Sequence, residues 1–145
     1  MPNLEDAISL ALKAHRGQKD KGGHPYILHP FRLMLRMTTE HERFAAVLHD
    51  VVEDTGMTLA DLRRKGYPEP VIEAVDCLTR RKGEAYEAFI MRLKSNQLAR
   101  KVKLADLRDN MDLRRIPNPQ QRDRERLKRY RKAWKELGGG RLSSR

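Results

Sequence analysis

Disulfide chemistry is excluded first: the chain has one cysteine, Cys77, and cannot form an intrachain bridge, which fits a reducing compartment. Set among Val71, Ile72, Val75 and Leu78, Cys77 reads as a small buried hydrophobe. Long apolar runs are also missing, so no transmembrane span is expected. The N-terminus, MPNLEDAISLALKAH, lacks the basic start and long apolar core of a secretory signal. A soluble cytoplasmic protein is the expectation. Strand signals are nearly absent, and no internal repeat or domain boundary is visible. What remains is helical periodicity along 145 residues, enough for one domain with a real core but not for two.

The fold expected from that periodicity is an all-α bundle with short connections. Asn3 caps a first helix ending near Arg16-Gly17, with Leu4, Ile8, Ala11 and Leu12 inward. A Gly- and Lys-rich loop, GQKDKGGHP (17–25), leads into a helix over 26–38 with Phe31, Met34 and Leu35 apolar. Further helices are expected over 40–54, 59–65, 68–79, 84–94 and 98–113, then a long basic helix over about 120–137 after Pro117 and Pro119. Residues 1–137 form the domain in this reading, and 138–145, GGGRLSSR, a disordered tail.

Charge is concentrated at the C-terminal end. Residues 114–145 hold 12 Lys/Arg against 3 Asp/Glu, a net +9 of the total +11, leaving +2 for residues 1–113. Such a segment can bind nucleic acid, attract a polyanionic small substrate, or serve as a solvated helix face. With one Trp and one Tyr in it, it is poor as a base-stacking platform.

The most informative stretch is AAVLHDVVEDT (45–55). The adjacent His49 and Asp50 offer one neutral nitrogen and one anionic oxygen, a mix suited to zinc, manganese or iron. On a continuous helix Glu53 follows His49, and Asp54 follows Asp50, by one turn, so all four share a face with Ala45 and Ala46. The apolar arc opposite is Phe44, Val47, Leu48, Val51 and Val52. Four such groups are costly to bury without a positive charge among them. A divalent metal supplies one; a solvated helix face with a chance histidine is the alternative.

Other histidines and acids are candidate partners for this pair. His29, bracketed by prolines in PYILHP, is rigidly presented and a candidate ligand. His15 can cap or pack; His24 and His41 read as solvated. Asp106, flanked by Val102, Leu104, Ala105 and Leu107, is expected to be coordinated or paired, for instance with Lys103 or Arg108.

The ordered motifs PYILHP, HDVVEDT and VKLADLRDN, with AHRGQ (14–18) and LTR (78–80), resemble the HD-domain hydrolases. More narrowly they resemble the RelA/SpoT-type (p)ppGpp hydrolase domain and the small alarmone hydrolases, from about Ala7 to Leu137. The resemblance implies a single HD-domain helical bundle in which His29, His49, Asp50 and Asp106 ligate manganese(II) or another divalent metal. It also implies Glu53 and Asp54 as the catalytic acidic pair and Asn110 as a substrate contact. The implied reaction removes the 3′-pyrophosphate from guanosine tetra- or pentaphosphate. So anionic a substrate needs cations beyond the metal, and Lys19, Lys21, Lys103, Arg108, Arg122 and Arg126 are candidates.

Three departures bear on the substrate. Asp20 stands where these hydrolases usually have Arg, Asp109 where His is common, and Asp112-Leu113 where Arg-Thr follows Met. All were assigned to the nucleotide side rather than to the ligands. Other 3′-phosphorylated purine nucleotides, an adenosine alarmone and the 2′-phosphate of NADPH therefore stay open as substrates. So does a nucleic-acid-binding module with a structural metal, working through 114–145. No synthetase domain is expected within this length, and the sequence is silent on oligomeric state.

Overall fold

A computed structural model of the chain describes residues 1–142. Among them are nine α-helices: α1 (Leu4–Ala14), α2 (Leu28–Leu35), α3 (Glu40–Leu48), α4 (Val51–Asp54), α5 (Leu59–Arg64), α6 (Glu69–Leu78), α7 (Tyr86–Lys94), α8 (Gln97–Asn110) and α9 (Gln121–Glu136). A 3₁₀ turn at Leu113–Arg115 joins α8 to α9. The only extended pairing among the described residues is an isolated bridge between Lys19 and Pro25. The all-α expectation is met.

Local chemistry starts these helices where the sequence signals them. Asn3, Thr39 and Thr58 each accept a hydrogen bond from the backbone three residues on, and Asp6, Glu42 and Asp61 return it. Each capping box satisfies two otherwise orphaned N–H groups. Pro68 and Pro70 open α6, where the missing proline N–H costs nothing.

Helix α3 is the axis of the bundle. It packs against α1, α2, α6 and α8, and Phe44 through His49 are all buried. Ala45 and Ala46, small enough to leave room beside the polar groups, admit neighbouring helices on that side, so nothing on the helix faces water after Arg43 until Asp50. The expected helix over 40–54 is also broken: α3 ends at Leu48 and α4 begins at Val51. His49 Nδ1 bonds the carbonyl of Ala46 at 2.7 Å, a side chain competing with the backbone ladder at the point of the break.

Several side chains differ from the periodicity reading. Leu12, expected inward, is 49% exposed, and Leu35, read only as apolar, is 70% exposed; Ala7, Ala11, Leu33 and Met34 are the residues buried beside them on these helices. Cys77, expected in the core, is only partly buried. Helix α8 stops at Asn110 rather than at 113, and Asp112 caps the 3₁₀ turn through Arg114 N at 3.0 Å.

Helix α9 lies on α7 and α8, burying Ala133, with Leu137 just beyond it, and turning most of its basic residues to solvent. Of the expected tail over 138–145, residues 143–145 lie outside the described residues. Gly139 N bonds Trp134 O at 2.8 Å, and Trp134 Nε1 donates to Gly140 O at 2.7 Å.

Phe44 is 1% exposed and meets the Tyr67 ring edge-on, with centroids 5.5 Å apart. Phe44→Ala should cost about 3–5 kcal/mol, read as a lower denaturant midpoint with an unchanged slope.

Candidate metal centre

Three elements converge on one buried point. Helix α2 delivers His29, the break between α3 and α4 delivers His49 and Asp50, and α8 delivers Asp106. One donor atom each from His29, His49 and Asp50 lies within 4.8 Å of the others. Asp106 Oδ1 sits 2.8 Å from His29 Nε2 and 3.7 Å from His49 Nε2. His49 Nε2 lies 3.0 Å from Asp50 Oδ2. Both imidazoles and Asp106 are at most 5% exposed. Residues spread over 77 positions of sequence thus meet at bonding range.

The hydrogen bonds behind these groups test whether a cation belongs among them. His49 Nδ1 donates to Ala46 O, which leaves Nε2 as a lone pair. That atom is fully enclosed and has no hydrogen-bond partner. His29 Nδ1 lies 2.6 Å from Asp109 Oδ2, so its Nε2 also faces Asp106 as a lone pair when the ring is neutral. Lone pairs aimed at carboxylates repel unless a proton or a metal ion lies between them. Two imidazole nitrogens and two carboxylates form a donor set suited to manganese, iron or zinc, and the residues fit a divalent ion.

Electrostatics agree. Burial pulls both imidazoles down, but Asp50, Asp106 and Asp109 more than reverse this, raising His29 and lifting His49 well above its ordinary value. Burial pushes Asp106 up, yet Lys103 and the two imidazoles carry it well below the usual carboxylate range. Asp50 is likewise brought to about 2 against its own burial, chiefly by His49. Tyr26 donates its hydroxyl to Asp50, and burial together with that carboxylate keeps the phenol protonated.

Glu53 and Asp54 stand exposed at the rim, one turn past the centre, with Asp54 N bonded to Asp50 O at 2.9 Å. Partial desolvation, then the charge of Asp50, raises both carboxyls. Gln18 Nε2 reaches Asp54 at 3.4 Å. His15, the C-cap of α1, holds Gln18 through Nδ1 at 2.9 Å. His24 and His41 are exposed.

Beside the centre opens a cleft of about 370 Å³, walled by the 17–25 loop, α2, the end of α8, the 3₁₀ turn and α9. Lys21 and Asn110 line it; Arg122 does not, and Arg126, one turn later, does. Asn110 Nδ2 donates to Asp106 Oδ1 at 3.1 Å. The Lys103 ammonium is 2.8 Å from Asp106 Oδ2 and lies over Phe89 and Tyr86, so it serves the buried carboxylate first. Arg108 is exposed. Gly22 abuts the Arg115 carbonyl so closely that any side chain would collide with it, and this contact closes the loop over the cleft.

Sequence reasoning missed two residues. Asp109, assigned to the nucleotide side, is 3% exposed and sits behind His29. Arg32 bonds it through Nε and Nη2 at 2.8 and 2.9 Å. The signal was available: 109 is three residues after 106 on one helix, and 32 three after 29 on another.

The arrangement has relatives. The chain is 36% identical over 121 residues to a GTP pyrophosphokinase from Streptomyces coelicolor, covering 74% of this chain and 14% of that one. It is 33% identical over 123 residues to the bifunctional (p)ppGpp synthase/hydrolase SpoT of Escherichia coli, 74% of this chain and 17% of that one. A guanosine-3′,5′-bis(diphosphate) 3′-pyrophosphohydrolase from Aquifex aeolicus is 30% identical over 120 residues, with the same shares, 74% and 17%. Among solved structures, one reported as a metazoan ortholog of SpoT that hydrolyzes ppGpp superposes with a TM-score of 0.75 at 25% identity. That match covers 94% of this chain and 86% of the other. The chain carries a RelA/SpoT-type HD domain. No family model matches it. It spans 14 to 17% of the length of these three curated relatives.

A pH dependence follows from the raised imidazoles. Metal-free, His29 and His49 hold protons above their ordinary 6.5. A metal ion must displace those protons, so affinity should go on rising as pH increases past that ordinary value, with proton release. Calorimetry in buffers of differing ionisation heat should show that release at pH 7; binding without it would contradict the assignment.

Proposed function

We propose that this chain is a metal-dependent phosphohydrolase of the RelA/SpoT HD type that removes the 3′-pyrophosphate of guanosine 3′,5′-bis(diphosphate). The observation that carries the reading is the enclosed, unpartnered Nε2 of His49 between Asp50 and Asp106, with His29 opposite and a cationic cleft alongside. His29, His49, Asp50 and Asp106 are its metal ligands, for manganese in the first instance. When bound, a divalent ion supplies acidified water and screens the negative charge on phosphorus.

The chain's own residues do the remainder. Glu53 or Asp54 takes the proton of the attacking water, and their raised carboxyls are better bases than ordinary surface acids. The water oxygen forms a bond to the phosphorus next to the sugar, and the bond from that phosphorus to the 3′ oxygen breaks. The 3′ oxygen leaves with a proton, giving GDP and pyrophosphate. Lys103 keeps Asp106 ionised, and Tyr26 orients Asp50 through its hydroxyl. Asn110, bonded to Asp106, lines the cleft where the nucleotide enters, and Lys21 lines it too.

Arg122, exposed on α9 and outside the cleft lining, contributes in this reading only to the long-range attraction of an anionic substrate. Asp20 caps its own loop through Gly22 N and His24 N, both at 2.9 Å, and Asp112 pairs with Arg114. Neither offers the nucleotide a cation, which keeps the choice of purine open to assay. The nucleic-acid reading gains nothing from α9, since Tyr130 and Trp134 pack against the core. No described helix is long and apolar enough to cross a membrane, and a nucleotide substrate fits a cytoplasmic location.

Incubation of ppGpp, pppGpp, pppApp and NADPH with manganese should release pyrophosphate from the guanosine alarmones; orthophosphate alone, or turnover of NADPH only, would contradict this substrate. Glu53→Gln should retain manganese and lose turnover about 10²- to 10⁴-fold. Normal turnover would remove Glu53 from the mechanism.

A further inference from the structure

We infer that Asp109 is a positioning residue for the metal centre: it holds the proton of His29 on Nδ1, so that Nε2 faces the cation, while two arginines hold Asp109. The inference rests on the metal-dependent reading above.

Four donors meet this carboxylate, two at each oxygen. Oδ1 accepts from Arg32 Nε at 2.8 Å and Arg115 Nη1 at 3.2 Å. Oδ2 accepts from His29 Nδ1 at 2.6 Å and Arg32 Nη2 at 2.9 Å. A carboxylate has about four lone-pair sites, so its capacity is filled. Arg115 Nη2 also bonds the Asp109 carbonyl at 2.9 Å, fixing the backbone behind the side chain.

The chemistry of the alternatives shows what this arrangement selects. A histidine here would have at most one acceptor nitrogen and could not serve three side chains. Asparagine would turn two N–H groups toward a guanidinium or toward the His29 proton. Only a carboxylate accepts from all of them. The pair His29 and Arg32, one turn apart on α2, grips the pair Asp106 and Asp109 on α8, so the clamp sets the angle at which the imidazole enters the centre. Arg32 and Arg115 also line the cleft and cancel the negative charge that Asp109 would otherwise present to an anionic substrate.

The test is manganese(II) titration of the metal-free protein, followed by electron paramagnetic resonance. Asp109→Asn should weaken binding about 10- to 100-fold while circular dichroism shows the helices intact. Affinity within about twofold of wild type would overturn the inference, since a residue that only ties helices together changes stability and not metal affinity. Should the variant fail to fold, the wild-type protein loaded with zinc decides. Long-range ¹H–¹⁵N spectra should show His29 protonated on Nδ1 with zinc on Nε2; the opposite tautomer would overturn the inference. Wild-type protein that takes up neither metal overturns the metal-centre reading and this inference together. Uptake by wild type and Asp109→Asn alike overturns this inference alone.

Discussion

Buried charge is the constraint on which the structure depends. Asp106 and Asp109, with His29 and His49, lie inside a helical bundle at 5% exposure or less. Unpaired, each ion would cost several kcal/mol to bury. The bundle answers by facing opposites: Lys103 on Asp106, Arg32 and Arg115 on Asp109, and imidazole nitrogens on both. What the protein does not supply is a partner for His49 Nε2. The gap coincides with the point where two carboxylates and two imidazoles come together, and the cation we propose would complete it.

The scaffold reads as a device for holding that point. Helix α3 is sheathed by four others, so its C-terminal end cannot drift, and the chain breaks there to aim His49 inward and Asp50 sideways. Helices α2 and α8 lie against it and against each other, each offering a ligand and, one turn on, a group that braces the ligand pair. The chemistry at the rim needs less rigidity. Glu53 and Asp54 sit on a four-residue helix, half in water, where partial burial and Asp50 raise their carboxyls, in keeping with the proton transfer we propose for them.

Much of this was legible in the sequence because it is local. Capping residues at Asn3, Thr39 and Thr58, prolines 68 and 70, and the periodicity of α6 to α9 fix helix existence through neighbours a few residues away. The motifs around His29, His49 and Asp106 were readable as well, since each carries its chemistry in a few adjacent residues. Long-range packing was not. That α3 is covered on all sides, and that Leu12 and Leu35 face outward, depends on which helices arrive and from where. The break at His49 hides inside a run of good helical residues. Asp109 looked like a departure at the nucleotide end because its partners, Arg32 and Arg115, come from outside α8. Lys103 read both as a partner for Asp106, three residues away, and as a cation for the substrate; its burial beside that carboxylate, which the sequence does not show, decides for the first.

Anomalous diffraction at the manganese edge, from crystals grown with that ion, addresses the centre itself. One peak is predicted, bonded to His29 Nε2, His49 Nε2, Asp50 and Asp106. A peak elsewhere, or none at saturating manganese, would contradict the account.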